Sequence, residues 1–579
     1  MAVLPIAEGV LRFTLGVGIP GVGPFVQHLT LWVGFLGAAL AAREDKLLAL
    51  ATAQFLPDRW RGAARVVSGT VAAGVTAMLA VAALELVLIE REGGLEIAAG
   101  VPVWVGQLVM PVALAVTALR LAWKSSERPR GRMVALAGLL AGLWLARHPG
   151  AFEGLAAWPL VALLVVATVV GGPIFVALGG AALFLFLTEA VPAAAVPVAT
   201  YDLSVSPMLP AIPLFTLTGF LLAEGGASRR LLRVFRSLFG WLPGGTAVVC
   251  AAVCAFFTTF TGGSGVTILA LGVLLFEALR RDGYRERFSL GLLTGSGSLG
   301  LLFPPALPLI LYGIVAQQPI EDLFIGGLLP GLLLVALVAA WGVREGLRGA
   351  AERRRFDARE AASALWAAKW ELALPVVVLV AIFSGYATPV EAAALSAVFA
   401  LVVQCFVHRD IDVRSGLLGV VTQCVVLVGG VLIILGMAKG LTSWMVDAQI
   451  PMQALAWVQS FIDSKIVFLL CLNLFLLLVG CLMDIFSAIV VVVPLIVPLG
   501  AAYGIDPVHL GILFIANLEL GYLTPPVGLN LFLASYRFER PLLDVWRAAL
   551  PALAILAVGV LLITYVPWLT TGLVEIWRR

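Results

Sequence analysis

The sequence predicts an all-α polytopic membrane protein, and three observations predict it. First, 61% of the 579 residues are hydrophobic and 12% are charged, with a mean hydropathy of +1.06, which is more apolar surface than a water-soluble fold can bury. Second, apolar stretches long enough to cross a hydrocarbon core of about 30 Å recur from Leu29 to the C terminus. Third, a glycine and double-proline motif occurs twice in the second part of the chain, which is typical of transporters built from two repeats.

The basic residues lie in short clusters between apolar stretches, and the net charge of +3 is small for this length. The clusters run over Lys124 to Arg132, Arg229 to Arg236, Arg280 to Arg287 and Arg344 to Arg359. The positive-inside rule predicts that they are cytoplasmic loops, with binding of anionic lipid head groups as the alternative, and their spread does not indicate a nucleic-acid surface.

Cysteine and histidine give no sign of metal or disulfide chemistry. All six cysteines lie in apolar sequence and only four histidines are present, so we expect buried apolar thiols and no metal site. Residues 1–23 lack a basic region before their apolar part, so no cleavable signal peptide is expected.

Two regions divide the chain. Residues 1–150 contain predicted apolar segments and one charged amphipathic segment, Arg43 to Arg61, and are expected to form a small helical bundle. The predicted apolar segments are Leu29 to Ala42, Val66 to Ile89, Val101 to Trp123 and Met133 to Leu145. Residues 151–579 form the longer predicted domain, whose first apolar segment begins near Trp158.

The longer region contains an internal repeat. Leu299-Gly300, Leu302 and Pro304-Pro305 recur as Leu520-Gly521, Leu523 and Pro525-Pro526, 221 residues later. The identity does not continue past the prolines, since Leu309 falls opposite Asn530. A repeat of this length predicts two homologous halves.

Each half also contains an apolar stretch that is interrupted in its middle. In the first half, residues 258–265 separate Gly245 to Phe257 from the apolar residues after Val266; in the second, residues 480–484 separate Ile466 to Val479 from Ile489 to Leu499. We predict two re-entrant helical hairpins with tips near the membrane midplane, and neither arm of the first hairpin is long enough to cross.

Irregular backbone at membrane depth is tolerated only where protein or a polar cavity satisfies it, so the interruptions are candidate sites. Proline has no N–H, so within a helix Pro304 and Pro305 would free the carbonyls of Gly300 and Leu301, and Pro525 and Pro526 would free those of Gly521 and Tyr522. Free carbonyls together with hydroxyl, amide and carboxyl oxygens suit Na⁺.

The tip amides of the first hairpin, those of Gly263, Ser264 and Gly265, are predicted to face a substrate carboxylate. The alternative for small residues here is close helix packing. Asp484 is the leading functional candidate, because an ionisable group within an apolar stretch is costly; the alternative is a cap at the N terminus of a hairpin arm.

Other polar groups are assigned to structure. Lys439 is expected to reach the interface with its charged end, and Glu519, also embedded in apolar sequence, receives no role. Thr388-Pro389-Val390-Glu391 fits a capping box, and Asp506-Pro507 fits a helix start.

These motifs resemble the large membrane subunit of a tripartite ATP-independent periplasmic (TRAP) transporter. The resemblance covers the chain from about Trp158 onward and is carried by these segments: Gly283-Tyr284, Ser296-Gly297-Ser298-Leu299-Gly300, Tyr312-Gly313, Thr388 to Ala393, Gly504 to Gly511 and Asn517 to Phe532. Ala306 stands where the family often has serine, which removes one possible hydroxyl ligand.

The N-terminal region resembles the small TRAP subunit through Arg12, Leu31 to Ala39, Arg43 and Leu56-Pro57. The helix before Arg12 is only about half a span long. The order of the two regions implies a protein in which the small and large subunits are fused.

The resemblance implies an inverted-repeat, elevator-type transporter in a bacterial inner membrane. It implies Na⁺-coupled uptake of a small organic anion, such as a C4-dicarboxylate or a sugar acid, delivered by a periplasmic substrate-binding protein, with no cofactor beyond the coupling ion. The expected cation-binding residues are Ser264, Ser298, Gly300, Pro304, Asp484, Gly521, Thr524 and Pro525. The expected substrate-binding residues are Thr261, Gly263, Ser296, Asn517 and Asn530.

Three alternatives remain at this point. A stand-alone ion-coupled anion carrier would need no soluble receptor, although the small-subunit-like region argues against it. A polytopic membrane enzyme lacks support because no histidine cluster, carboxylate pair or nucleophile with a placed base is present. A channel would not need two alternating half-sites.

Overall fold

The computed structural model describes residues 1–49, 57–348, 356–525 and 528–579. Leu56 and Pro526, with part of the basic cluster that ends at Arg359, therefore lie outside the described residues. Across the described ranges, nine helices are long and apolar enough to cross a membrane, or up to eleven if each of two bent helix pairs is one span. The prediction of an all-α polytopic membrane protein is confirmed.

The described part of residues 1–204 contains nine helices and one small β-hairpin. They are α1 Val3–Leu15, α2 Val22–Glu44, α3 Asp58–Gly93, β1 Glu96–Ala98, β2 Val101–Pro102, α4 Val103–Gln107, α5 Val109–Lys124, α6 Pro129–Ala146, α7 Trp158–Val169, α8 Ile174–Thr188 and α9 Ala195–Ser204. A 3₁₀ turn, Pro149–Ala151, lies between α6 and α7.

Among the described residues after 204, eighteen further helices follow. They are α10 Ala211–Glu224, α11 Ala227–Phe239, α12 Gly245–Thr261, α13 Ser264–Arg281, α14 Glu286–Ser296, α15 Leu307–Ala316, α16 Ile320–Arg348, α17 Ala358–Ala367, α18 Lys369–Phe383, α19 Pro389–Val402, α20 Leu417–Asp447, α21 Ile450–Gln459, α22 Lys465–Leu482, α23 Ile485–Ala502, α24 Pro507–Gly521, α25 Leu529–Phe538, α26 Leu542–Tyr565 and α27 Trp568–Arg578. A π-helix, Val403–Val407, follows α19.

The first compact unit contains Val3–Pro213 and Thr422–Ala454. In it α3 packs against α5 and α6, with Ala73, Ala77, Ala118 and Ala122 in a buried cluster. Most of α20 also belongs to this unit: a Cβ on Gly37 of α2 would lie 2.3 Å from the Val425 carbonyl oxygen of α20. The predicted boundary at residue 150 does not separate the compact units, and it stays a prediction.

Two details of the N-terminal region differ from the prediction. The charged amphipathic segment Arg43 to Arg61 was predicted as one piece, but α2 ends at Glu44 and α3 begins at Asp58, so both ends of the segment lie in helices, and residues 50–56 lie outside the described residues. The apolar segment from Val101 starts as strand β2, which pairs antiparallel with β1, before α4 and α5 follow. Pro102 caps α4 in extended conformation, and proline has no N–H for helix bonding.

The second compact unit, Leu214–Val421 and Leu455–Arg579, contains both predicted halves. The helices of the two halves follow one another at the same spacing, although the sequence identity does not continue past the prolines. Helices α13 and α23 start 221 residues apart, α14 and α24 start 221 apart, and α15 and α25 start 222 apart. Each half therefore has a helical hairpin, a helix that stops at the glycine and proline motif, and a second helix after it.

A buried ion pair ties α11 to α18 in this unit. Arg230 places Nη2 2.6 Å from Oε1 of the fully buried Glu371 and Nη1 2.8 Å from Oδ2 of Asp410. Burial opposes the charge of Asp410, but hydrogen bonds from Arg230 and the Gly226 amide hold the pKa of Asp410 below its ordinary value. The basic cluster Arg229 to Arg236 was predicted as a loop, which is wrong: it lies within helix α11, where one face of the helix is apolar.

The expected caps are confirmed, and one cysteine is not where it was expected. Thr388 and Glu391 form a capping box, and Asp506 accepts hydrogen bonds from the first amides of α24. Cys471 is exposed, whereas the other five cysteines are buried. Lys439 is exposed, and the reach of its charged end to the membrane interface stays a prediction.

Candidate functional site

Hairpin 1 consists of α12 and α13. The two arms contact each other near the tip, where Thr258 Oγ1 is 2.8 Å from Thr267 Oγ1. At the tip, Gly262 ends α12 with a φ of 65°, which an L side chain rarely adopts, and Gly263 occupies the N-cap position of α13.

Hairpin 2 consists of α22 and α23. The start of α22 meets the end of α23: the Phe468 and Tyr503 rings stack with centroids 4.2 Å apart, and Lys465 Nζ donates to the Gly504 carbonyl at 2.7 Å. The arms are longer than predicted. Helices α22 and α23 have 18 residues each and are long and apolar enough to cross a membrane, so they exceed the predicted apolar stretches Ile466 to Val479 and Ile489 to Leu499.

The break in the first half spans residues 297–306, between α14 and α15, and is held by hairpin 1. Thr258 Oγ1 donates to the Gly297 carbonyl at 2.8 Å, and Thr259 Oγ1 donates to the Gly300 carbonyl at 3.2 Å. A Cβ on Gly300 would lie 2.1 Å from the Ala255 carbonyl oxygen. Only glycine allows the two backbones to approach this closely.

The break in the second half follows α24 and is packed in the same way. A Cβ on Gly521 would lie 2.6 Å from Cα of Gly480, in the first arm of hairpin 2. Gly521 is the repeat counterpart of Gly300, and Gly480 is the counterpart of Thr259. The same contact between arm and break therefore occurs in both halves.

The two halves interlock around the breaks. Helix α15, after the first break, packs against α23, and α25, after the second break, packs against α13. Asn530 of α25 donates through Nδ2 to the Thr294 carbonyl at 3.2 Å and to Ser298 Oγ at 3.5 Å. This brings the predicted residues Asn530 and Ser298 together.

Several buried polar atoms near hairpin 1 and the first break have no hydrogen-bond partner among the described residues. They are Ser264 Oγ, Ser296 Oγ and Asn530 Oδ1, on side chains at most 2% exposed. Thr261 Oγ1 donates to the Gly263 carbonyl at 3.4 Å. Buried polar groups normally have partners, so these oxygens are available to an ion or a substrate.

The two hairpin tips differ in their caps. Asp484, the N-cap of α23, accepts from the Phe486 and Ser487 amides at 3.0 and 3.1 Å through Oδ2 and from Ser487 Oγ at 2.6 Å through Oδ1. Gly263 is its counterpart 221 residues earlier, and α13 has no side-chain cap hydrogen bond. The capping alternative for Asp484 is confirmed, while its role toward a cation stays a prediction.

The prediction of free carbonyls at the double prolines is wrong for the two glycines. The Gly300 carbonyl accepts from the Phe303 amide at 3.2 Å as well as from Thr259, and the Gly521 carbonyl accepts from the Thr524 amide at 3.0 Å. The reason is that both helices end before the prolines, α14 at Ser296 and α24 at Gly521, so the chain closes tight turns there. Pro304 is buried and Pro525 is exposed.

Asn517 belongs to a network between helices. Its Nδ2 donates to Asn473 Oδ1 at 2.8 Å and to the Leu513 carbonyl at 2.9 Å, and Asn473 in turn donates to Thr564 Oγ1 at 3.1 Å. The network joins α24 to α22 and α26, and both amide hydrogens of Asn517 are used. Thr524 Oγ1 donates to the Leu520 carbonyl at 3.2 Å. The substrate role of Asn517 stays a prediction.

Sequence reasoning missed the residues that hold the breaks in place. Thr258 and Thr259 were taken as part of the interruption, but they lie in α12 and bind the first break. Tyr522 was considered only for its free backbone carbonyl. Its side-chain Oη accepts a hydrogen bond from the Ile485 amide at 2.6 Å, at the tip of hairpin 2. The repeat offset would have paired Thr259 with Gly480, although the sequence gives no sign that these positions contact a break.

Comparisons with known families match both parts of the chain. Residues 160–569 match the family described as "Tripartite ATP-independent periplasmic transporter, DctM component", and residues 1–128 match "Tripartite ATP-independent periplasmic transporters, DctQ component". The large-subunit match alone covers more than half of the chain.

Individual relatives agree with these matches. The isethionate TRAP transporter permease protein DctMQ of Oleidesulfovibrio alaskensis is 34% identical over 80% of this chain and 74% of its own length. The C4-dicarboxylate large permease protein DctM of Pseudomonas aeruginosa is 34% identical over 68% of this chain and 92% of its own length. The sialic acid large permease protein SiaM of Vibrio cholerae is 32% identical over 63% and 86% respectively.

Proposed function

The chain belongs to the TRAP transporter family as a fused small and large permease, and from that membership and its paired breaks we propose that it performs Na⁺-coupled uptake of a small organic anion. The family places it among multi-pass proteins of the bacterial inner membrane that are permeases for secondary uptake of small organic acids, and not among enzymes. The coupling ion, the substrate class and the delivery route are the proposed parts.

The difference between the two hairpin tips is the observation that carries the proposal. The first amides of α13 have no carboxylate cap, and Ser264 Oγ beside them is buried without a partner among the described residues. A helix N terminus with exposed amides favours an anion. The carboxylate or sulfonate of the substrate therefore binds at the tip of hairpin 1, with the Ser264 hydroxyl as a further donor.

Oxygen atoms near the breaks support Na⁺ as the coupling ion. Ser296 Oγ and Asn530 Oδ1 near the first break are buried acceptors, and the Asp484 carboxylate at the tip of hairpin 2 retains acceptor capacity beyond its three hydrogen bonds. A hard cation prefers such oxygen ligands. Of the remaining predicted cation ligands, the Ser298 and Thr524 hydroxyl oxygens and the Gly521 carbonyl each keep a lone pair for a cation. The Gly300 carbonyl accepts two hydrogen bonds and would have to exchange one of them.

The relatives support an anionic substrate and a binding protein. Their names give isethionate, C4-dicarboxylates and sialic acid, which share a negative charge and differ in almost everything else. We infer that the permease recognises the charge and that a periplasmic substrate-binding protein selects the compound. An elevator movement of the hairpins and breaks is part of the same proposal.

Uptake into proteoliposomes tests this proposal. Purified protein is reconstituted and offered isethionate, a C4-dicarboxylate and a sugar acid, with and without an inward Na⁺ gradient, and with and without the periplasmic binding protein encoded beside the gene. A K⁺ gradient of equal size is the control. Uptake that needs both Na⁺ and the binding protein supports the proposal.

Two results would contradict parts of it. Uptake without the binding protein would identify a stand-alone carrier. Uptake at the same rate in the K⁺ control would remove Na⁺ as the coupling ion.

A further inference from the structure

An apolar cavity lies beside hairpin 1 and the first break, within the second compact unit. It has a volume of about 310 Å³ and is bounded by α11, α12, α16, α18 and the break residues Phe303 and Pro304. Thr259 is the one polar side chain in the described lining, and its hydroxyl already donates to the Gly300 carbonyl. The cavity therefore offers no free polar side chain to a substrate anion or a cation.

The size and lining of the cavity suit an elongated apolar ligand. Along α12 the lining runs from Ala252 to Phe260, a rise of about 12 Å at 1.5 Å per residue. An apolar cavity of about 150 Å³ can hold a benzene molecule and gives water no partners. Without a ligand, the lining atoms lose their packing contacts on one side. A stretch of hydrocarbon chain would restore these contacts.

The cavity is open toward the apolar outer surface between α16 and α18. On α16, Leu328 and Val335 line the cavity, and Leu332, on the same face of the helix, is 55% exposed. On α18, Val376 and Val380 follow directly after lining residues and are each 59% exposed. Exposed apolar side chains on a membrane helix contact lipid, so acyl chains of the bilayer lie at the mouth of the cavity.

A lysine lies at one end of the same face of α18. Lys369 precedes Val376 and Val380 by two and three helical turns, directly after the 63° bend between α17 and α18. Its Nζ lies 3.7 Å from the ring centroid of Trp366 and 5.1 Å from that of Trp370. Tryptophan and lysine are typical of the membrane interface, where lysine reaches lipid head groups. The ammonium over these rings retains N–H donors for a phosphate oxygen.

We propose that this cavity is a phospholipid-binding site. One acyl chain enters between α16 and α18 and extends to Phe303 and Pro304 of the first break, and the lipid phosphate binds Lys369. The negative phosphate and the positive ammonium are complementary in charge, and the chain is complementary to the apolar lining. The site rests on the cavity and its mouth, and not on the proposed transport function.

Photolabelling tests the site. The purified full-length protein is reconstituted with phosphatidylglycerol that carries a diazirine near the end of one acyl chain, and labelled residues are mapped by mass spectrometry after illumination. We expect labels on Ala255 and Phe260, which are 6% and 2% exposed and line the cavity. Labels confined to outer residues such as Leu332 and Val376 would overturn the proposal.

A bulky side chain inside the cavity should exclude the acyl chain. Val335→Trp is expected to lower the labelling of α12 by about tenfold, because overpacking costs binding free energy. Ala336→Trp, at the exposed neighbouring position of α16, is the matched control and should keep the label. Equal labelling of α12 in the two variants would overturn the proposal. Leu379→Trp replaces Val335→Trp if that variant does not fold, and the wild-type map decides if neither folds.

The head-group contact is tested separately. Lys369→Gln should lower the labelling of α12 by about fivefold, the effect of one basic residue near a lipid surface. Arg359→Gln, at an exposed position of α17, is the control. A diacylglycerol with the same diazirine but no phosphate should label the wild type as weakly as phosphatidylglycerol labels Lys369→Gln. Equal labelling by both lipids would overturn the phosphate contact.

These outcomes are distinct from those for transport. Uptake that needs neither Na⁺ nor a binding protein would contradict the proposed function and leave the label map of the cavity unchanged. A wild-type map without labels on α12 would contradict the lipid site and leave the Na⁺ dependence of uptake unchanged.

Discussion

The two halves of the second unit place the same elements in the same order, but they treat three equivalent positions differently. By the repeat offset, Gly263 corresponds to Asp484 at the hairpin tips, Thr258 corresponds to Val479 in the first arms, and Ser298 corresponds to Glu519 before the motif glycines. Gly300 and Gly521, in contrast, make the same backbone contact. The shared glycines keep hairpin arm and break in contact, and the differing positions give the two halves different polar groups at the tip and at the break.

The largest expected effect comes from making the first tip like the second. Gly263→Asp would place a carboxylate at the first amides of α13, where we expect the substrate anion. Like-charge contact costs several kcal/mol, so uptake should fall by about 100-fold or more while the protein still folds. Uptake and thermal unfolding are measured together.

Gly263→Ala is the matched control, because the nearest atoms to a new Cβ there lie 4.0 Å away. Wild-type uptake by Gly263→Asp would show that the substrate does not use this tip.

The glycines that the halves share should be sensitive in both. Gly300→Ala and Gly521→Ala place a Cβ 2.1 Å and 2.6 Å from backbone atoms of the hairpin arms. Overpacking of this kind costs about 1–3 kcal/mol, with the larger loss at Gly300. Thermal unfolding in detergent measures it, and Gly419→Ala, with no atom within 4 Å of its new Cβ, is the control. A stable Gly300→Ala protein would refute the close contact.

Removing the charge at the second tip should weaken coupling without loss of the fold. Asp484→Asn keeps an oxygen that accepts hydrogen bonds from Phe486 and Ser487 but loses the negative charge. We expect the Na⁺ concentration for half-maximal uptake to rise by about tenfold, equal to about 1.4 kcal/mol, with membrane insertion intact. The Na⁺ dependence of uptake measures the change, and an unchanged dependence would remove Asp484 from the cation site.

The smallest effect is expected in the first arm of hairpin 1. Thr258→Val copies Val479 of the second half and removes the hydroxyl that binds the Gly297 carbonyl. Loss of a buried hydrogen bond of this kind costs about 1 kcal/mol. Comparison of its thermal unfolding with that of a Thr571→Val control, at a partly exposed position, measures the loss. An unchanged unfolding temperature would mean that an apolar side chain, as at Val479 in the second half, stabilises the first arm equally well.

Much of the fold follows from local sequence. Apolar stretches predict the membrane helices because spanning requires apolar surface and internal hydrogen bonding. The repeated motif from Leu299 to Pro305 predicts the two halves, and Asp506-Pro507 and Thr388 predict helix starts. These features depend on residues close together in the chain.

The site was only partly predictable. Ser264, Ser296 and Asn530 were identified because oxygen-bearing residues stand out near interruptions. Thr259 and Tyr522 were not assigned, because their roles depend on partners 41 and 37 residues away. The cysteine at 471 was expected to be buried, since apolar sequence does not distinguish the protein interior from lipid.

The sequence by itself determined that this chain is a membrane transporter with two homologous halves and two hairpins, because hydropathy and the repeat are properties of the chain alone. Only the tertiary structure decided which carbonyls are already bonded and which hairpin tip is capped. These are properties of groups brought together from distant positions, and their charge and hydrogen bonding depend on what surrounds them.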